Sequence, residues 1–239
     1  IGKYESAYRV AEPREKTTDL LALELTADLG FAELTSATSL STFEAVGQRD
    51  QTDLLIRLNY SYEEFPAFTA FTREEDNYED FVQELRLVSQ GESDLQWIVG
   101  YYYSDSTSKG DSREYTPGFD EYAIDVWGVG GNLRPDSLEY ISVGETDVTE
   151  SALFGEVGYS ITDKLDVTLG ARFYNYEVSS VSATDLPLYN SVFLGDPSDQ
   201  INIDLASEEP IGVEDSGSLF KLNVSYKFTD DVMAYVTLS

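Results

Sequence analysis

The chain has 239 residues, with 45 acidic against 15 basic side chains and a formal net charge of −30. Phosphates would be repelled, so no nucleic acid partner is expected. There is no cysteine and no histidine, which removes disulfides, thiolate and histidine metal sites, a Ser-His-Asp triad and the usual general base near neutral pH.

No apolar run reaches the roughly 18 residues of a transmembrane helix. The opening Ile-Gly-Lys-Tyr-Glu-Ser has neither a starting methionine nor a signal-type apolar segment. Period-two alternation instead predicts four hairpins in chain order. The first covers about 18–43 and turns near Gly30, with Leu21, Leu23, Leu25, Ala27 and Leu29 on one face. Its second half, Ala32–Phe43, alternates poorly, as a bulge would make it do. The second hairpin, about 81–104, sets Phe81, Leu85 and Leu87 against Glu84 and Arg86, then aligns Leu95, Trp97, Val99, Tyr101 and Tyr103. The third, about 151–177, turns at Thr-Asp-Lys, with Leu165, Val167, Leu169, Ala171 and Phe173 opposite Asp166, Thr168, Gly170 and Arg172. The fourth, about 218–239, turns at Thr-Asp-Asp.

The strands so read run about 8 to 12 residues. Between the hairpins lie long connections at about 44–80, 104–149 and 177–217, with net charges of −7, −7 and −9. Short turns alternating with long polar loops, and charge removed from the strands, indicate an all-β antiparallel transmembrane barrel rather than a sandwich, which shows turn signals every 8 to 12 residues. Tyrosine supplies 17 of the 31 aromatic residues. Their collection at strand ends, as in Tyr101–Tyr103 and Phe173–Tyr176, suits the aromatic girdles at water–lipid interfaces.

On this reading Leu85, Leu87, Trp97, Val99, Leu165, Val167, Leu169, Phe173, Leu222, Val224 and Tyr226 face lipid. Glu84, Arg86, Glu156, Asp166, Arg172, Lys221 and Lys227 face the lumen, where pairing across strands would stabilise a polar interior. The run Arg73–Asp80 gathers Glu74, Glu75, Asp76, Glu79 and Asp80, which could bind a hard cation, although acidic runs are usually solvated faces. Paired carboxylates also suit glycoside hydrolysis, but chance pairs are inevitable among so many acids; no catalytic residue, metal site or cofactor is expected. The segments Tyr115–Tyr122 and Ser182–Pro197 join turn residues to aromatics. Tyr115, Phe119, Tyr122, Tyr189 and Phe193 are therefore candidates for ligand contact, the alternative being that these loops pack on one another as a cap.

Three segments in order carry a family resemblance: FVQELRLVSQGESDLQWIVGYYYSD, ALFGEVGYSITDKLDVTLGARFYNYE and SLFKLNVSYKFTDDVMAYVTLS. They resemble successive barrel hairpins of TonB-dependent outer-membrane receptors. The resemblance covers the chain from about Thr17 onward and implies about eight strands of a 22-stranded barrel. It also implies a plug domain elsewhere in the full-length protein, through which TonB delivers energy, so the chain is expected to be a middle slice. A Gram-negative outer-membrane setting in contact with lipid, and uptake of a scarce nutrient, are implied by the same resemblance. The default is an iron–siderophore complex, with cobalamin or a glycan as alternatives. Two rivals are a small plug-free porin or adhesion barrel, and a soluble acidic β-sandwich that binds carbohydrate. The sandwich requires a second sheet over Leu165, Val167, Leu169 and Phe173; the barrel leaves them bare.

Overall fold

A computed structural model describes residues 8–57, 69–128 and 134–239. Eight antiparallel strands form one sheet in sequence order: β1 (Arg14–Asp28), β2 (Ala32–Asp50), β3 (Phe71–Ser89), β4 (Leu95–Tyr115), β5 (Leu138–Thr162), β6 (Leu165–Asp185), β7 (Ile211–Thr229) and β8 (Val232–Leu238). Three connections carry helix: α1 (Thr52–Arg57), α2 (Phe119–Trp127) and α3 (Pro187–Tyr189), the last widening into a π turn over Asn190–Leu194.

The alternation predicted from sequence finds the strands but not their lengths. Strands β2 to β7 run from 19 to 25 residues, so the interhairpin connections shrink to 51–70, 116–137 and 186–210. The added stretches, such as Asp105–Glu114 paired with Tyr140–Thr149, carry mostly polar residues on both faces, with Ile141, Val143 and Val148 as apolar exceptions. Ladder hydrogen bonds hold them, and these leave no mark in hydropathy. Consequently Tyr101–Tyr103 and Phe173–Tyr176 lie mid-strand rather than at strand ends.

Register assigns the faces. Leu85, Tyr101, Leu153, Phe173 and Ser218 form one row across β3 to β7. The next row runs Ala27, Leu34, Leu87, Val99, Gly155, Ala171 and Phe220. By the same pairing all eleven residues expected to face lipid share this apolar face, and all seven expected in a lumen share the other. The poor alternation of Ala32–Phe43 is not a bulge, because its pairing with β3 is unbroken. It reflects Ser36 and Thr38 standing on the apolar face. There Thr38 Oγ1 donates to Gln83 Oε1 at 2.6 Å, and Gln83 Nε2 donates to Ser36 Oγ at 3.2 Å, so the polar groups satisfy one another. Register shifts fall instead at Glu114/Tyr115, Ser160/Thr162 and Lys227/Thr229.

The apolar band is slanted. On β1 to β3 it begins at the row Leu21–Leu40–Phe81, and on β7 at Phe220, three two-residue rows lower over six strand-to-strand steps. The hairpin turns descend by the same three rows, from just beyond Ala27–Leu34 to just beyond Tyr226–Ala234. At ~3.3 Å per residue and ~4.8 Å per strand, the slope is about 35°, within reach of the strand tilt that closes barrels.

No second sheet covers this face among the described residues: Leu169 is 59% and Phe173 52% exposed. The described residues therefore do not form the sandwich arrangement. On the opposite face Gly100 makes room for its register partner Phe154. A Cβ there would stand 2.3 Å from the ring's Cζ, so the aromatic ring covers the glycine. Gly100→Ala is expected to destabilise the sheet by about 1–3 kcal/mol through overpacking. Adding Phe154→Ala should cost less than the two single effects together, because the sites touch. Denaturant unfolding of the full-length protein reads both.

Candidate functional site

The hydrophobic core of the described residues lies outside the sheet. Leu55 of α1, Ala70, Phe119 and Ala123 of α2, and Leu188 and Val192 around α3 are buried together, with Ile56, Tyr122 and Trp127 packed against them. Each long connection therefore contributes one apolar helix face to a shared cap. Helix α2 presents Phe119, Tyr122, Ala123 and Trp127 at helical spacing. It ends at Gly128, which takes a φ of 66° and donates its N–H to the carbonyls of Ala123 and Ile124, a conformation other residues adopt reluctantly.

Polar clamps tie the connections together. Arg134, only 3% exposed, donates through Nη1 to the carbonyls of Ser198 (3.2 Å) and Gln200 (2.8 Å), while its Nε lies 2.9 Å from Asp136 Oδ1. It links the β4–β5 connection to the β6–β7 connection. Asp185 Oδ1 accepts from Leu186 N and Asn190 Nδ2, both at 2.8 Å, and so fixes the entry to α3.

A cavity of about 550 Å³ opens beside this core, a size common among small-molecule sites. Phe119, Tyr189 and Phe193, three of the five candidate contact residues, line it. Tyr122 is one layer back, edge-on to Trp127 at 5.8 Å. Tyr115 is elsewhere: it stacks on Phe71 at 5.2 Å, with the Arg73 guanidinium 5.5 Å from its ring, on the apolar face of the sheet. Parity at the strand end separates it from Glu114, one residue earlier. Glu114 and its register partner Tyr140 stand on the polar face, and both line the cavity together with Trp127, Glu139 and Leu188. Trp127 is a residue the sequence reading missed. The four-residue step from Ala123 within the apolar stripe of α2 was the available signal.

Burial raises the Glu114 carboxyl above its ordinary value near 4.5; a hydrogen bond from Gln51 and the charge of Arg49 oppose this without cancelling it. The folded cap thus holds a proton more tightly than an unfolded one. Cap stability is expected to rise as pH falls from the raised value toward 4.5 and to be lost again as pH climbs. Hydrogen exchange of α1 and α2 amides, corrected for intrinsic rate, should show this gain, and Glu114→Gln should abolish it.

Five of the seven charged residues expected in the lumen pair across strands. Lys221 Nζ reaches over Gly170 to Glu156 Oε1 at 2.9 Å, and Lys227 Nζ stands 4.0 Å from Asp166. Arg172 bonds Glu150 and lies 5.4 Å from the Tyr102 ring. Glu84 and Arg86 pair along one strand at 3.5 Å. Partly exposed pairs of this kind contribute about 0–1 kcal/mol each. The acidic run Arg73–Asp80 does not form a cation cage. It lies within β3, where alternation sends Glu74, Asp76 and Asp80 to one face and Glu75 and Glu79 to the other. Glu74 pairs with Arg49 at 3.0 Å, and among the described residues no cluster is placed to hold a metal ion.

A single meander of long strands, apolar on one face, charged on the other and covered at one end by helical loops, defines a β-barrel type of wall. The chain belongs to the TonB dependent receptor-like β-barrel family, whose profile matches residues 4–239; this is a family of receptors, not enzymes. No curated protein matches it. Among solved structures it resembles the ferric yersiniabactin uptake receptor FyuA from Yersinia pestis, with a TM-score of 0.68 and 15% identity over 97% of this chain and 29% of that one. It also resembles the siderophore receptor PiuA from Acinetobacter baumannii, with a TM-score of 0.62 and 12% identity over 96% of this chain and 33% of that one. A third likeness is to the ferric-catecholate import receptor Fiu from E. coli K12, with a TM-score of 0.52 and 14% identity over 94% of this chain and 32% of that one. The chain spans about a third of the length of these receptors.

Proposed function

We propose that the chain forms part of the wall of a 22-stranded outer-membrane barrel, residues 1–239 lying within the barrel domain of a TonB-dependent importer. The apolar face, including Leu85, Leu87, Trp97, Val99, Leu165, Val167, Leu169, Phe173, Leu222, Val224 and Tyr226, meets lipid. The face with Glu84, Arg86, Glu156, Asp166, Arg172, Lys221 and Lys227 lines the lumen. The cap of loop helices lies outside the cell, and a plug domain of the full-length protein couples the barrel to TonB.

The slanted, bare apolar band carries this reading. On β6 it runs from Leu165 to Phe173, about 26 Å along the strand and about 22 Å across the band at the 35° slope. Outer-membrane barrels carry an apolar girdle about 25 Å tall. The cargo is a small scarce nutrient, with an iron–siderophore complex as the first candidate, since the similar solved receptors are named for ferric yersiniabactin, for a siderophore and for a ferric catecholate.

Expression of the complete receptor in a Gram-negative host tests both halves. It should fractionate with the outer membrane and leave it only with detergent; free solubility would overturn the wall assignment. Uptake of labelled ferric siderophores should require TonB, and uptake that persists without TonB would overturn the transport assignment.

A further inference from the structure

The cap cavity has a charge as well as a shape. Among the described residues, Glu114 and Glu139 line it, none of the lining side chains is basic, and five aromatic ones complete its wall. Glu114 is only 8% exposed, and the group that hydrogen-bonds it is the neutral Gln51 amide at 3.3 Å. Arg49, which acts on it electrostatically, is already engaged with Glu74. The surroundings reinforce this, because residues 186–210 contain five acidic and no basic residues. The rings form one linked group: Trp127 stands 5.5 Å from Phe119 and 6.4 Å from Phe193, which in turn lies 4.9 Å from Tyr189.

Aromatic rings carry negative charge on their faces and attract cations, more strongly where water is excluded. The buried Glu114 and half-buried Glu139 carboxylates act in the same direction, and an anion entering would meet repulsion from rings and carboxylates alike. The geometry points to the cap cavity as a binding site for a small, positively charged ligand with an aromatic or aliphatic body. Polyanionic chelates are disfavoured there. This rests on the cap being the outward, ligand-meeting end of a receptor, and it deepens that reading by giving the charge of the cargo.

Two probes with a common benzyl group and opposite charge test it by calorimetry on the complete receptor: benzyltrimethylammonium and phenylmethanesulfonate. The ammonium should bind at least about tenfold more tightly. In Glu114→Gln/Glu139→Gln the preference should fall below about threefold, with hydrogen-exchange protection of α2 retained. Equal or tighter binding of the sulfonate, binding of neither ion, or an unchanged preference in the double variant would overturn the inference. Should the double variant lose α2 protection, Phe193→Leu replaces it, since it keeps apolar volume but removes a ring. That variant should weaken the ammonium more than the sulfonate, and equal effects on both would count against the site. TonB-dependent uptake is read separately. A receptor that fails to import but still prefers the ammonium loses the transport assignment alone, and one that imports but prefers the sulfonate loses this inference alone.

Discussion

Leu169→Arg is expected to destabilise the folded, lipid-inserted protein by about 2–4 kcal/mol. Leu169 is the middle of the five band residues on β6, with Leu165 and Val167 on one side and Ala171 and Phe173 on the other. It is flanked in its row by Val157 and Leu222 and is 59% exposed on the protein. A charge there would have to be desolvated by hydrocarbon, with no carboxylate among the surrounding band residues to meet it. The cost should depend on depth. Phe173→Arg, at the band's upper margin, should cost only about 0–1 kcal/mol. Thr168→Arg, one residue away on the polar face and near Asp166, should be close to neutral. Urea unfolding of the complete receptor in lipid vesicles measures all three. A flat response across Leu169, Phe173 and Thr168 would remove the bilayer from the explanation.

The second large effect concerns the cap. Phe119→Ala is expected to cost about 3–5 kcal/mol, because Phe119 is buried and contacts Trp127 at 5.5 Å within a core of few residues. Helix α1 has six residues and α2 nine, too short to persist in water without tertiary packing. The cap should therefore open as a unit while the sheet remains, since strand pairing does not pass through Phe119. Hydrogen-exchange mass spectrometry should show protection lost over 52–57, 119–127 and 187–194 but retained over 150–160 and 166–174. Uniform loss across the strands would mean that cap and sheet fold as one. No loss would mean that the helices stand without their core.

Much of the wall was legible in the amino-acid sequence. A strand with one oily and one charged face alternates with period two, so Leu165–Phe173 and Phe220–Phe228 announced both their strands and their facing. The Thr-Asp turns were equally plain. Thr162 Oγ1 accepts from Lys164 N and Leu165 N, and Thr229 Oγ1 accepts from Asp231 N, so a local side-chain bond closes each turn. Poor alternation in β2 was legible as an irregularity but not as its cause, which needed Gln83 from the next strand.

The cap was half legible. Aromatic loop residues marked Phe119, Tyr189 and Phe193, but the same rule selected Tyr115, which register places on the other side of the sheet. Trp127, Glu114 and the Arg134 clamp drew no attention, because their importance lies in partners that are far away in sequence, such as Ser198 and Gln200 for Arg134.

Periodicity, charge and turn chemistry are local properties, and by themselves they determined strand identity and facing; the family came from the resemblance of three ordered hairpin segments. The slant of the apolar band, the extension of strands through mostly polar stretches, and the meeting of three loop helices over one acidic, aromatic cavity were decided only by tertiary structure. Each depends on interstrand register or on contacts between residues more than sixty positions apart, for which no local pattern exists.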